Sequence, residues 1–296
     1  MRVPLETVDA EPAPLGRILL TGATGRVGAR LLPHLKRLGG EARLLVWGPG
    51  PGPGPGGGRL VTGDLRDPAV CRSAVEGVDA VVHIASAFVG LDGPGAEEVN
   101  RTATAALARA ALDAGVRRFV QMSSYLVYAP AGDRPVREDD PLLESPESSF
   151  PAAKLGAEAA LRQFTGGELE VCVLRVAFTY GEGDPHLADA LSWAAHRPDD
   201  ERLHLVHHAD VRAGIFAALR SPAAAGHTYN LADDEPAPAA LLRPLADEFT
   251  ARGAGSGDAE EGGPLGCVVD TTAARRDLGF RPAYPSIEDA RRAGRM

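Results

Sequence analysis

The chain has 296 residues, 44% hydrophobic and 24% charged, which excludes wholesale disorder and suits one large α/β unit or a core with an appendage. A formal charge of −9, from 31 basic and 40 acidic residues, disfavours nucleic acid as the main partner. No apolar run approaches the ~18 residues that span a bilayer, and the first residues, with Glu6, Asp9 and Glu11, lack the apolar centre of a signal peptide. Three scattered cysteines, Cys71, Cys172 and Cys267, make neither a disulfide framework nor a metal site. A cytoplasmic chain with no membrane contact and no bound metal is expected.

Residues 1–16 contain three prolines and no periodicity and read as a tail. Arg17 to Thr21 reads as a buried strand, followed by a glycine turn and an amphipathic helix through about Leu38. A second strand, Ala42 to Trp47, runs into a Pro/Gly tract from Gly48 to Gly58. That tract is a loop, because proline lacks the donor and glycine loses the most entropy on ordering. Strands then follow at Arg59 to Thr62, Ala80 to Ile84, Arg118 to Ser123 and Leu169 to Val176. Helices separate them at Pro68 to Glu76, Gly95 to Ala114 and Pro151 to Phe164. Such alternation implies a Rossmann-like α/β fold, a doubly wound parallel sheet covered on both faces. Past residue 177 the pattern loosens into a His-rich stretch, His204 to His208, and a Gly-rich acidic loop from Gly253 to Gly263. The expected organisation is a tail (1–16), a dinucleotide-binding domain (17–176) and a smaller C-terminal substrate-binding subdomain (177–296) that partly returns to the core.

The segment Thr21, Gly22, Ala23, Thr24, Gly25, Arg26, Val27, Gly28 lies between the first strand and the first helix. That context is what a dinucleotide needs: a tight turn, a backbone the pyrophosphate can approach, and a helix N-terminus facing the anion. Asp64 and Leu65, after Gly63 and the third strand, are candidates for the adenine side, with Asp64 alternatively a helix N-cap. Ile84, Ala85 and Ser86 end the fourth strand at the carboxyl edge, where ligands bind in open α/β sheets. Asn100, in the next helix, bridges backbone groups or is simply solvated. No acid follows the second strand to hold ribose hydroxyls. Arg26, with Arg59 as a second candidate, could meet a 2′-phosphate instead, so NADPH is the expected cofactor and NADH the alternative. Arg26 as a solvent-facing first-turn residue is the plainer reading.

These segments, with Val99-Asn-Arg-Thr, Ser123-Ser-Tyr-Leu-Val-Tyr128, Arg175-Val-Ala-Phe-Thr-Tyr-Gly181, Leu205 to Val211, Tyr229-Asn-Leu and Leu278 to Pro282, resemble the extended and atypical short-chain dehydrogenase/reductase superfamily. The resemblance spans nearly the whole chain. It implies hydride transfer using a serine that orients the carbonyl, a tyrosine that protonates it, and a lysine four residues after the tyrosine that holds the nicotinamide ribose. Ser124 matches the serine and Lys154 the lysine. The tyrosine position is Phe150. Only two lysines exist, Lys36 and Lys154, and the residue four before Lys36 is Leu32, so no other register restores the motif. In a chain otherwise rich in arginine, Lys154 reads as functional rather than as a surface charge. The alternative for Ser124 is a strand-end serine bonded to backbone.

Another group must then supply the proton. Tyr125, Tyr128, Ser148 and Ser149 are near in sequence, and His83, His204, His207 and His208 have suitable intrinsic pKa values. His83, however, matches a family position that shapes the turn, and the later histidines look like the strand leading to Ala209-Asp-Val. The other source is chemical: a ketone beside its own phenol arrives with a polarised carbonyl and a proton to give. That favours an aromatic polyketide of angucyclinone type, and a composition rich in Arg, Ala, Gly and Pro suits a GC-rich, antibiotic-producing bacterium. Phe88, Val89, Tyr125, Phe150, Phe178, Tyr180 and Trp193 are candidate pocket walls, each alternatively a core aromatic or aliphatic, with Ser86 and Thr179 as polar anchors. The expected function is an NADPH-dependent ketoreductase acting on a small aromatic ketone. A catalytically silent NADP(H)-binding redox sensor is the alternative, and a sugar-nucleotide epimerase or dehydratase is disfavoured without the tyrosine. The oligomeric state is open.

Overall fold

The computed structural model describes residues 15–37, 41–47, 59–132, 134–184, 187, 191, 194, 197–251 and 267–296. The tail before residue 15, the Pro/Gly tract, the Gly-rich acidic stretch and Trp193 lie outside them. The first half alternates β1 (Arg17–Thr21), α1 (Arg26–Arg37), β2 (Glu41–Val46), β3 (Arg59–Thr62), α2 (Pro68–Val75), β4 (Ala80–His83), α3 (Gly93–Asp113), β5 (Arg118–Ser124), α4 (Ser149–Leu161) and β6 (Glu170–Val176). There follow β7 (Phe178–Tyr180), β8 (Arg202–Leu203), β9 (Leu205–His207), α5 (His208–Arg220), β10 (Thr228–Leu231), β11 (Ala237–Pro238), α6 (Ala239–Ala251), α7 (Thr272–Asp277) and α8 (Ile287–Arg292).

Seven strands form one parallel sheet in the order β10-β6-β5-β4-β1-β2-β3. This is the Rossmann-like doubly wound sheet expected from the alternation. Successive residues of a strand point to opposite faces, and the core divides accordingly. Ile18 and Leu20 pack with Leu31 and Leu35 of α1 and Ile215 of α5, whereas Leu19 packs with Val75 of α2 and Leu107 of α3. Caps set two helix starts: Asp67 accepts from Ala69 N, and Asp92 from Gly95 N, both at 2.8 Å. Asp64 therefore does not cap α2.

The α3–α4 interface depends on small residues. A Cβ on Gly156 would lie 2.1 Å from the Glu97 carbonyl oxygen, and Ala96, Ala152 and Ala153 are fully buried nearby. This close approach fixes α4, which carries Phe150, Lys154 and Glu158 at four-residue spacing along one stripe.

After β6 the chain builds two small sheets, β7–β9 and β8–β11, over a separate apolar cluster that includes Tyr180, Leu203 and Leu242. It returns to the main sheet through β10, which pairs with β6. No helix among the described residues is long and apolar enough to cross a membrane.

Candidate active site

The sheet order reverses between β1, which is followed by β2 on one side, and β4 on the other, so a crevice opens at their carboxyl ends. Gly22 turns the chain there with φ +72°, and a Cβ on it would come within 2.7 Å of Ala85 N. A Cβ on Gly28 would lie 2.2 Å from the Gly22 carbonyl oxygen, so α1 presses directly on the turn. Thr24 and Gly25 are exposed at its tip, while Ala23 and Val27 pack inward, leaving the backbone to face a ligand. The glycine cradle and the adjoining helix N-terminus suit a pyrophosphate.

Thr21 Oγ1 accepts from the backbone N–H groups of Ile84 and Ala85, both at 3.2 Å. With both lone pairs engaged, its own proton goes to His83 Nδ1 at 2.7 Å, and His83 Nε2–H donates to Thr104 Oγ1 at 3.1 Å. Burial, reinforced by the Lys154 charge, pushes His83 down to about 3. His83 is therefore a neutral structural ring and no acid. Asn100 does bridge backbone: Oδ1 accepts from Ala87 N at 3.0 Å and from Ser86 Oγ at 3.3 Å, and Nδ2 donates to the carbonyls of Ala87 and Ala96.

The adenine-side candidates fare differently. Arg66 occupies both oxygens of Asp64, through Nε, Nη2 and its backbone N–H, and holds the carboxyl below its usual range. Leu65 packs against the core cluster beneath α2. Arg26 is exposed, as a first-turn residue would be, but not unpartnered: Nε lies 3.8 Å from the fully buried Asp184 carboxylate. Arg59 opens β3 at the amino edge of the sheet, the end remote from the crevice, so it is no 2′-phosphate ligand. Past β2, Trp47 is 84% exposed.

On the other side of the crevice β5 ends at Ser123 and Ser124. Ser124 is buried and accepts from Leu126 N at 3.2 Å, while its own proton has no acceptor among the described residues. Lys154 is only 4% exposed, which removes the surface-charge reading. Its Nζ donates to the Met122 carbonyl at 3.2 Å and lies 5.6 Å from the Phe150 ring centroid. An ammonium carries three donors, and the other two are left for a ligand. Burial pushes Lys154 down to about 8, opposed by the Glu158 carboxylate one turn along. Phe150 stacks edge-on with Phe88, centroids 5.2 Å apart.

Behind this face runs a buried network absent from the sequence reading. Glu158 accepts from Ser123 Oγ at 2.5 Å and from Arg175 Nε and Nη2 at 3.1 and 2.8 Å. Arg175 lies over the Tyr128 ring, and Tyr128 donates to Asn230 Oδ1 at 2.7 Å. The only forward signal was Ser123-Ser124 itself: adjacent strand residues face opposite ways, so one had to turn inward.

Several expected participants are elsewhere. Tyr125 is 1% exposed within the main core, its hydroxyl has no partner among the described residues, and burial raises its pKa, so it neither lines an open wall nor serves as an acid. Burial pushes Tyr128 up to about 12. Tyr180 is fully buried and donates to Asp233. His204 accepts from Val269 N, donates to the Asp233 carbonyl and is pushed down to about 4 by burial. His207 accepts from Ala209 N at the start of α5, and His208 donates to Asp184 at 2.5 Å. Phe178 is half-buried between the two cores and Val89 is 87% exposed beside Phe88.

A glycine cradle at the switch point and a buried lysine beside the end of β5 fit a nicotinamide-dinucleotide enzyme of the short-chain dehydrogenase/reductase kind. The chain belongs to the NAD dependent epimerase/dehydratase family, whose model matches residues 18–232, and it is an NAD(P)-dependent oxidoreductase. A 4-hydroxy-2-methyl-3-oxo-4-farnesyl-3,4-dihydroquinoline-1-oxide ketoreductase of Stigmatella aurantiaca is 31% identical over 235 residues, covering 74% of this chain and 69% of that protein. A 3-diazoavenalumate denitrifying reductase of a Streptomyces species is 30% identical over 77% of this chain and 79% of its own. Among solved structures, a short-chain dehydrogenase/reductase superfamily protein from Agrobacterium tumefaciens with bound NAD superposes with a TM-score of 0.73 at 29% identity, covering 94% and 97% of the two chains.

Proposed function

We propose that this protein is an NADPH-dependent ketoreductase that reduces an aromatic polyketide of angucyclinone type, the proton coming from a phenol of the substrate. The observation that carries this reading is the face formed by Ser124, Lys154 and Phe150: two of the three expected polar groups are kept, and a phenyl ring stands where the acid belongs. The histidines and tyrosines weighed as substitutes are bonded into the protein or sealed in its core. Bacterial relatives named as a ketoreductase and a reductase of specialised metabolites support the same direction. The resemblance narrows to the angucyclinone ketoreductase of simocyclinone biosynthesis, an atypical member of this superfamily.

When bound, NADPH supplies the hydride. Lys154 would hold the nicotinamide ribose through its two remaining N–H donors, and Ser124 would donate to the substrate carbonyl oxygen. Phe150 and Phe88 would form an apolar wall that accepts a flat ring and excludes water, with the exposed Val89 next to Phe88. NADPH over NADH rests on the absence of an acid after β2, with Arg26 as the remaining candidate for the 2′-phosphate. For that role Arg26 would have to exchange its contact with Asp184.

The test is NADPH consumption with an ortho- or peri-hydroxyaryl ketone beside the same ketone with its phenol methylated. Turnover of the free phenol alone, in a cytoplasmic-type buffer near neutral pH, is expected. Turnover of both ketones at equal rate would place the proton donor in the protein. Tight NADPH binding without turnover of either would return the reading to the silent redox sensor.

A further inference from the structure

An open groove of about 510 Å³ lies between α1 and α5, lined by His34 and Arg37 of the first helix and by Arg212, Ala213, Phe216, Ala217 and Arg220 of the second. Its volume falls within the roughly 300–1,000 Å³ of small-molecule sites. It is separate from the glycine turn: α1 starts there at Arg26, and His34 and Arg37 stand 8 and 11 residues further on, about 12–16 Å along the axis.

Its polar groups are all donors. Arg212 Nη1 donates to His34 Nε2 at 3.0 Å, so that nitrogen is an acceptor already used and Nδ1–H is what His34 has left to offer. Three guanidiniums, Arg37, Arg212 and Arg220, converge on the groove, and none forms an ion pair with a carboxylate among the described residues. Elsewhere in the chain Arg66, Arg134 and Arg175 each hold a carboxylate. Burial and the charges of Arg212 and Arg37 lower the His34 pKa. Burial also lowers that of Arg212, with Arg37 adding to the effect and Asp210 and Glu182 opposing it. Arg37 and Arg220 end their helices, where a cation suits the dipole. Arg212 does not: it is the fifth residue of α5, and its charge has no such reason to be there.

We propose that this groove binds a small organic phosphate, its anionic head held by Arg37, Arg212 and Arg220 with His34 donating, and its apolar group lying on Phe216 and Ala213. Arginine suits the role because its planar fork meets phosphate oxygens two at a time. A purely ionic site would need no apolar floor, and a purely apolar one would not gather three unpaired guanidiniums. The site is independent of the reductase reading, since it uses no residue of the crevice.

The test is calorimetric titration of phenyl phosphate into protein saturated with NADP⁺, which occupies the glycine turn first. One saturable site is expected, binding phenyl phosphate several-fold more tightly than inorganic phosphate. Affinity should fall roughly tenfold or more in Arg212→Gln and in Arg37→Gln/Arg220→Gln, while NADP⁺ affinity, which also reports folding, stays unchanged. Wild-type protein gives a second readout: phenyl phosphate should shift the His34 imidazole resonance, identified by its loss in His34→Gln. Binding that survives the arginine substitutions, binding abolished by NADP⁺, equal affinity for inorganic phosphate, or an unmoved His34 resonance would each overturn the proposal.

Discussion

Thr21 and His83, on one side of the crevice, have their hydrogen-bonding positions filled by protein, whereas Ser124 and Lys154, on the other, keep donors with no acceptor among the described residues. The first side is a finished scaffold, since an orphaned buried group there would cost about 1–3 kcal/mol. The second side holds its polar groups ready for partners that arrive with the ligand. On the proposed function, the protein fixes where a cofactor sits by completing one set of bonds, and leaves chemistry to a set it does not complete.

The sharpest way to break this contrast is at the finished side. Gly28→Val puts atoms where the Gly22 carbonyl already lies, and NADPH affinity measured by fluorescence should drop at least about 100-fold, some 2.7 kcal/mol. Wild-type affinity in that variant would mean the turn is not the cofactor cradle.

Next comes Glu158→Gln, which leaves Arg175 buried with half its partner gone. Urea unfolding should show a loss of about 3 kcal/mol. Because Glu158 opposes the depression of the Lys154 pKa, the pH at which activity falls should also move down.

Lys154→Met separates function from stability. Turnover should fall roughly 100-fold, consistent with losing a positioned cation, and in wild type kcat/KM should decline as pH rises through about 8, where Lys154 loses its charge. The stability effect has the opposite sign. The folded pKa lies below the ordinary 10.5, so the unfolded chain binds the proton more tightly, and folding pays a penalty that is full below about pH 8 and fades towards 10.5. Lys154→Met should therefore stabilise the protein at pH 7 by on the order of 2 kcal/mol, an advantage that shrinks above pH 8. A variant less stable than wild type at pH 7 would show that the ammonium is better solvated than its burial implies.

The smallest effect is expected from Phe150→Tyr. On a hydroxyaryl ketone its rate should stay within about threefold of wild type, because the carbonyl is already activated. A large gain on that substrate would mean the phenol contributes little.

The fold was legible where periodicity speaks. β1 and β3 match their expected bounds, β4, β5 and β6 differ by a residue at one end and β2 by a residue at each, because strands buried on both faces carry continuous apolar runs. β9 was legible as the strand leading to Ala209, whereas β7, β8 and β11, two or three residues each, were not, since their pairing is decided by tertiary context rather than by pattern. Lys154 and Phe150 could be read from spacing along one helix. Glu158 with Arg175, and Arg26 with Asp184, could not: each joins elements far apart in the chain. The histidine run does read as a strand, but the backbone groups that His204 and His207 serve could not be read from it, since intrinsic pKa values say nothing of them.

Phe150 also bears on the direction in which such a reductase can run. By microscopic reversibility, the group that delivers a proton to a carbonyl is the one that removes it from the alcohol. If a phenol of the substrate is that group, as proposed, oxidation is likewise limited to alcohols that carry their own phenolate. On that reading a ketone or alcohol without a phenol is turned over in neither direction, a restriction set by the loss of a single oxygen atom.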